Sequence, residues 1–160
     1  LSRFYVSNGL CSPCSYSCKE CRGPSDSECT SCEGANTYLL EGKCKCIEGF
    51  YRSDSNPYSY TCTSCKLPCS ACSALDYCLS CSDPNAYASD GVCLCEKGFY
   101  DSDSTSQVSC KPCSSECATC KDSLSCSSCL EENAKVVEGV CKCNDNAFLT
   151  STSPLKCQTC

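Results

Sequence analysis

The chain has no His, no Trp and no Met, and Phe occurs only four times in 160 residues. Without His there is no conventional general base for a Ser or Cys nucleophile, so the usual parts of a hydrolytic site are missing. Large apolar side chains are scarce as well, because much of the 41% hydrophobic content is Cys itself. Burial of so little apolar area would hardly offset the ordering entropy of the backbone. No apolar run approaches the ~20 residues that span a bilayer. Lys and Arg form no cluster along the chain, and the net charge is −6. Nucleic acid and anionic membranes are therefore poor partners, and no membrane insertion is expected within this segment. Leu1-Ser2-Arg3-Phe4-Tyr5 lacks the basic flank and apolar stretch of an export signal. The expectation is a processed chain or part of a longer one.

What the chain has in excess is cysteine, 26 residues of 160. A content this high in a short chain marks a disulfide scaffold, and disulfides persist in oxidising compartments. An extracellular or cell-surface location follows. The cysteines fall into three octets and a remnant. The first octet is Cys11, Cys14, Cys18, Cys21, Cys29, Cys32, Cys44 and Cys46. The second is Cys62, Cys65, Cys69, Cys72, Cys78, Cys81, Cys93 and Cys95, and the third is Cys110, Cys113, Cys117, Cys120, Cys126, Cys129, Cys141 and Cys143. Cys157 and Cys160 open a fourth. Each octet reads C-x2-C-x3-C-x2-C-x(5–7)-C-x2-C-x11-C-x-C, with starts 51, 48 and 47 residues apart. This is tandem repetition. The implied division is 1–10 as the end of a preceding repeat or linker, repeats at 11–61, 62–109 and 110–156, and the start of a fourth at 157–160.

Other residues repeat in step. Glu41-Gly42, Asp90-Gly91 and Glu138-Gly139 precede the seventh cysteines, flanked by Leu39-Leu40, Ala88 and Val136-Val137. An acidic-Gly pair between β-prone runs signals a two-residue hairpin turn, with Gly supplying positive φ. Gly49, Gly98 and Asn146 share a place after the eighth cysteine, which points to a left-handed backbone there. The aromatic pairs Phe50-Tyr51 and Phe99-Tyr100, with Ala147-Phe148, read as a small apolar plate packed on the disulfides; the other reading is exposed ligand contacts. No useful 3.6-residue periodicity appears, so short hairpins and turns with almost no helix are expected. Arg52-Ser53-Asp54-Ser55-Asn56-Pro57 and Asp101-Ser102-Asp103-Ser104 read as surface loops joining repeats.

This arrangement, C-x2-C-x3-C-x2-C, then C-x2-C, a Gly-containing hairpin, a cysteine pair and Gly-Phe-Tyr, resembles the furin-like or growth-factor-receptor cysteine-rich repeat. That family includes modules of R-spondins, growth-factor receptors and protist surface proteins. The likeness runs from about Phe4 to Cys160. One departure is the single residue between Cys44 and Cys46, where many members have three. Spacing alone does not give connectivity. The resemblance implies Cys14–Cys21, Cys18–Cys29, Cys32–Cys44 and Cys46–Cys62, then Cys65–Cys72, Cys69–Cys78, Cys81–Cys93 and Cys95–Cys110. In the third repeat it implies Cys113–Cys120, Cys117–Cys126, Cys129–Cys141 and Cys143–Cys157. Cys11 and Cys160 are left over as candidate inter-unit cysteines, Cys11 suited to a preceding repeat and Cys160 to a following one. The implied fold is small and disulfide-rich, with tandem β-hairpin repeats forming an elongated rod.

Paired C-x2-C motifs also suit zinc, but the absence of His and the secreted-type composition favour oxidised sulfur. Redox chemistry of the thioredoxin kind lacks its surrounding βαβ pattern. Carboxylates such as Glu131-Glu132 read as solvated loop charge. The Asp54 and Asp101/Asp103 loops suggest weak Ca2+ binding, but their spacing matches no dedicated calcium loop. No catalytic, cofactor or metal residues are assigned. No N-glycosylation sequon occurs, since Asn36-Thr37-Tyr38 fails and Asn56 precedes Pro57; O-glycans fit Thr150-Ser151-Thr152-Ser153-Pro154. Two functions fit. One is a structural, non-enzymatic segment of a rod or filament that self-associates or continues into further repeats. The alternative is a ligand-binding or stalk module of a receptor or secreted signalling protein, which would show one repeat diverging to carry an aromatic or Arg anchor.

Overall fold

The computed structural model describes residues 3–54, 59–103, 105 and 107–160. Ser55, Asn56 and Pro57 of the first joining loop, Ser104 of the second, and Leu1-Ser2 of the N-terminal stretch lie outside them. Among the described residues there is no helix. Among these residues every strand pairs only with a chain neighbour, giving ten two-stranded sheets. The chain divides into two units, Leu1–Ser80 and Cys81–Cys160.

In the first unit β1 (Phe4–Ser7) pairs with β2 (Leu10–Pro13), and β3 (Cys18–Cys21) with β4 (Cys29–Cys32). Next, β5 (Thr37–Leu40) pairs with β6 (Lys43–Cys46), and β7 (Phe50–Arg52) with β8 (Cys62–Ser64). Then β9 (Cys69–Ala74) pairs with β10 (Tyr77–Cys81), whose last residue opens the second unit. The second unit continues with β11 (Ala86–Ser89) on β12 (Val92–Cys95) and β13 (Phe99–Asp101) on β14 (Cys110–Pro112). It ends with β15 (Cys117–Cys120) on β16 (Cys126–Cys129), β17 (Ala134–Val137) on β18 (Val140–Cys143), and β19 (Ala147–Thr152) on β20 (Leu155–Thr159).

The acidic-Gly pairs make the tight turns expected of them. Glu41 and Gly42 have φ of 48° and 78°, Asp90 and Gly91 50° and 82°, and Glu138 and Gly139 53° and 79°. Positive φ at both central residues is the type I′ signature, whose twist matches that of the strands. A fourth turn of this kind, Asn8-Gly9 (53° and 78°), closes β1–β2 within the first ten residues, the stretch expected to end a preceding repeat or linker. Asn-Gly flanked by apolar residues is the strongest short hairpin signal.

The shared left-handed position after the eighth cysteine holds only in part. Gly49 and Gly98 have φ of 80° and 86°, but Asn146 is not among the positive-φ residues. Its backbone role survives, because the Asn146 carbonyl accepts from Cys160 N at 3.1 Å as that of Gly49 does from Cys65 N at 2.7 Å. The hydrogen bond is thus made from either side of the backbone map, with a left-handed residue at Gly49 and Gly98 and without one at Asn146. In β1–β2 the same place is held by Arg3, at φ 68°, whose carbonyl accepts from Cys14 N at 2.9 Å.

The core is made of sulfur. Every residue that forms the buried apolar set is a cysteine, with Cys18 the most enclosed at 1% exposure. In the first unit Cys18, Cys29 and Cys44 cluster with Tyr60 packed against them, and in the second Cys117, Cys126 and Cys141 cluster with Val136 and Leu155. The aromatic plate is thus narrower than the sequence suggests. Phe50, Tyr51, Phe99 and Tyr100 are half-buried, while Phe148 is 50% exposed.

Candidate functional site

The cysteines are joined in a repeating pattern of bridges, and strand geometry positions each sulfur. Cys44 and Cys46 lie two apart on β6, so both point to one face of the hairpin. Cys44 is bridged back to Cys32 on β4 and Cys46 forward to Cys62 on β8. The single residue between them thus lets one hairpin hold both of its neighbours. The C-x2-C cysteines are three apart and serve different bridges. Cys18 crosses its hairpin to Cys29, while Cys21 turns back to Cys14. The register slips around Glu20 in β3, as it does around Thr119 in β15.

The rest of the first unit carries Cys65–Cys72 and Cys69–Cys78. The second unit carries Cys81–Cys93, Cys95–Cys110, Cys113–Cys120, Cys117–Cys126, Cys129–Cys141 and Cys143–Cys157. Cα–Cα separations run from 5.0 Å (Cys69–Cys78) to 5.8 Å (Cys65–Cys72), inside the usual range for a bridge. The closed loops are short, from 7 to 16 residues in sequence separation. Each restricts the unfolded chain by roughly 2–3 kcal/mol. Cys11 and Cys160 are free and exposed. Cys11 nonetheless faces Val6 across β1–β2 as Cys62 faces Arg52, Cys110 faces Asp101 and Cys157 faces Leu149 in their own hairpins. It therefore occupies the register of a first cysteine.

The joining segments are also fixed by side chains. Tyr60 donates its hydroxyl to the Cys44 carbonyl at 2.6 Å, and the Arg52 guanidinium lies 5.0 Å from its ring centroid. Arg52 Nε donates to Asp54 Oδ1 at 3.0 Å, Arg52 Nη2 donates to the Ser59 carbonyl at 3.2 Å, and Thr61 N donates to Asp54 Oδ2. Burial pushes the Asp54 carboxyl up, but these donors outweigh it and hold its pKa below the ordinary value. Burial pushes the Tyr60 phenol up. In the second unit Asp83 accepts from Asn85 N at 2.8 Å and from Cys110 N at 2.9 Å.

Glu131 departs from the solvated reading. Its side chain is only 16% exposed and meets Lys156 Nζ at 3.6 Å, because the segment leading to Cys157 folds over it, whereas Glu132 is exposed. The loop carboxylates weighed for calcium serve their own backbone. Asp101 accepts from the amides of Asp103 and Ser109, both at 3.1 Å, and Asp103 from that of Thr105 at 2.9 Å. Among the described residues no group of three or more His, Cys, Asp or Glu converges as a metal site.

Two repeating signals went unread in the sequence. Asn36, Asn85 and Asn133 each lie four residues after a sixth cysteine, and their carbonyls accept from Ile47, Glu96 and Asn144 at 2.9, 2.9 and 2.8 Å. Tyr60, Val108 and Leu155 each lie two before a first cysteine, and Tyr60 and Leu155 pack on the cystine clusters.

No family model matches the chain. Over 70 residues, 40% of its length, it is 41% identical to Furin-like protease 2 of Drosophila melanogaster. Over 43 residues, 26% of its length, it is 51% identical to Proprotein convertase subtilisin/kexin type 5 of Branchiostoma californiense. Over 69 residues, 41% of its length, it is 39% identical to Extracellular matrix organizing protein FRAS1 of Homo sapiens. These likenesses support a furin-like cysteine-rich repeat. The chain spans only 4%, 2% and 2% of those proteins. The many disulfides fit an extracellular location. No helix among the described residues is long and apolar enough to cross a membrane.

Proposed function

We propose that the chain is a non-enzymatic, structural segment of an extracellular cysteine-rich protein, built from repeats at 11–61, 62–109 and 110–156. Its disulfide ladder continues into neighbouring units through Cys11 and Cys160. One observation carries this reading. Eighth cysteines are bridged to the first cysteines that follow them (Cys46–Cys62, Cys95–Cys110, Cys143–Cys157), while Cys11 holds a first-cysteine register with its sulfur free. The bridge partner in the equivalent positions is the second cysteine of a C-x-C hairpin, so a C-x-C hairpin of another repeat is the matching partner. The name of one relative refers to extracellular matrix organisation, in keeping with a rod or filament in a matrix or cell coat.

The segment Thr150-Ser151-Thr152-Ser153-Pro154 forms the end of β19 and its turn, with Thr152 and Ser153 exposed. O-glycans fit there, and the intact mass before and after glycan release tests them. The main reading is tested by electron microscopy of native, unreduced material beside a reduced and alkylated control. Filaments that fall apart on reduction are expected, and discrete short particles would overturn the filament. In that event the ligand-binding or stalk reading takes over, which the cleft described next favours.

A further inference from the structure

The chain has no linear cluster of Lys or Arg, yet the first unit gathers three cations around one cleft. Lys43 and Lys45 of β6 and Arg52 of β7 line a cavity of about 240 Å3. Tyr16 and Tyr60 supply aromatic walls and Ser15 and Ser59 hydroxyls, with Asp26 the one acidic residue lining it among the described residues. Arg52 is held in place by Asp54, the Ser59 carbonyl and the Tyr60 ring; its charge is paired with the Asp54 carboxylate, so it serves as a fixed wall and the charge offered to a ligand is that of Lys43 and Lys45.

The scaffold does not require this chemistry. Lys43, beside the turn and opposite Leu40, corresponds by register to Val92 opposite Ser89 and to Val140 opposite Val137. Lys45, opposite Tyr38, corresponds to Leu94 and Lys142. Arg52, opposite a first cysteine, corresponds to Asp101 and Leu149, and Tyr60 to Val108 and Leu155. At the places of Lys43, Arg52 and Tyr60 the same hairpins thus fold with apolar or acidic residues, while the place of Lys45 is apolar in the second repeat and again a lysine in the third. Divergence of a single repeat at adjoining positions is the mark of a recognition surface rather than of a structural need.

We propose that this cleft binds an acidic sugar, a single ring carrying a sulfate or carboxylate, within an extracellular glycan. Its volume lies below the ~300–1,000 Å3 of sites for drug-sized ligands, which suits one ring. The ammonium groups of Lys43 and Lys45 supply point charges for the acid, the tyrosine rings an apolar wall for the sugar face, and Ser15 and Ser59 partners for its hydroxyls. An acidic peptide fits less well. It would add as a strand to the free edge of β6, but the Cys44 carbonyl on that edge already accepts the Tyr60 hydroxyl. The proposal needs only an extracellular setting and is independent of the filament.

The test is a titration of the oxidised, 15N-labelled 160-residue chain followed by amide NMR. The probes are a sulfated disaccharide, its desulfated form, inorganic sulfate and a Glu-rich peptide. The sulfated disaccharide is expected to shift the amides of Ser15, Lys45 and Tyr60 saturably, and added salt to weaken it. The amides of Val92, Leu94 and Val108 stay unmoved. Replacement Lys43→Val with Lys45→Leu, the residues at those registers in the second repeat, should weaken binding about fivefold or more with the remaining spectrum unchanged. No saturable shift, or equal affinity in the double variant, overturns the site. Equal binding of inorganic sulfate overturns the sugar, and tighter binding of the Glu-rich peptide replaces it with a protein partner.

Discussion

Replacing Gly42 by Ala tests the turn that holds the first cystine cluster together. Gly42 sits at φ 78°, and a Cβ there would run into the Ser27 carbonyl. Its own carbonyl accepts from Cys29 N at 2.9 Å, tying the turn to the cluster of Cys18, Cys29 and Cys44. Left-handed backbone costs a residue with a Cβ roughly 1–2 kcal/mol, and an overpacked contact roughly 1–3 kcal/mol more. Together these give about 2–5 kcal/mol. Gly9 is the control. It has the same φ of 78° in the same kind of turn, but nothing lies within 4 Å of its Cβ position. Native-state hydrogen exchange of the oxidised chain reads each turn locally, which suits a chain of tandem hairpins whose stability is set by nearest neighbours. Protection at the Cys29 amide should fall at least about thirtyfold in Gly42→Ala. The β1–β2 amides in Gly9→Ala should lose about five- to thirtyfold, and Cys29 should be unaffected there. A Gly42→Ala loss no larger than that of Gly9→Ala would refute the argument from the Ser27 carbonyl.

Tyr60→Phe removes the hydroxyl that meets the Cys44 carbonyl at 2.6 Å and should cost about 1 kcal/mol, seen as faster exchange of amides around Cys44. Unchanged exchange would show that water replaces the hydroxyl without loss. The Asp54 carboxyl titrates lower folded than unfolded, so its ionised form adds stability above the ordinary carboxylate pKa of about 3.9. That contribution disappears as pH falls through the folded value. Protection of the Thr61 amide should drop over this acid window in the native chain and stay level in Asp54→Asn. Replacing Cys18 and Cys29 together by Ser opens one short loop and should cost about 2–3 kcal/mol. The loss should appear in amides of the first unit, while that of Cys126 in the second keeps its protection; equal loss in both would contradict locally additive stability.

Much of the fold was legible because its determinants are local. Glu41-Gly42, Asp90-Gly91 and Glu138-Gly139 each specify a turn through the φ that Gly permits, and the spacing of cysteines around them repeats. The Asn8-Gly9 turn is equally local, though it lies before the first cysteine and outside the octet pattern. Asn146 is a weaker signal. A residue that tolerates left-handed backbone does not demand it, and here the carbonyl hydrogen bond alone was kept. The fate of Glu131 was not legible, since Lys156 comes to it from a segment 25 residues away.

By itself, then, the sequence determined a helix-poor, sulfur-cored chain of hairpins, because turn chemistry and the scarcity of large apolar residues act within a few positions. It did not determine which sulfurs meet, since spacing admits many pairings. Nor did it reveal the cleft. Lys43, Lys45, Arg52 and Tyr60 become neighbours only when β6, β7 and the segment before Cys62 are drawn together around Cys44 and Cys46. Side chains spread from Lys43 to Tyr60 form one site only once tertiary structure has removed the distance between them.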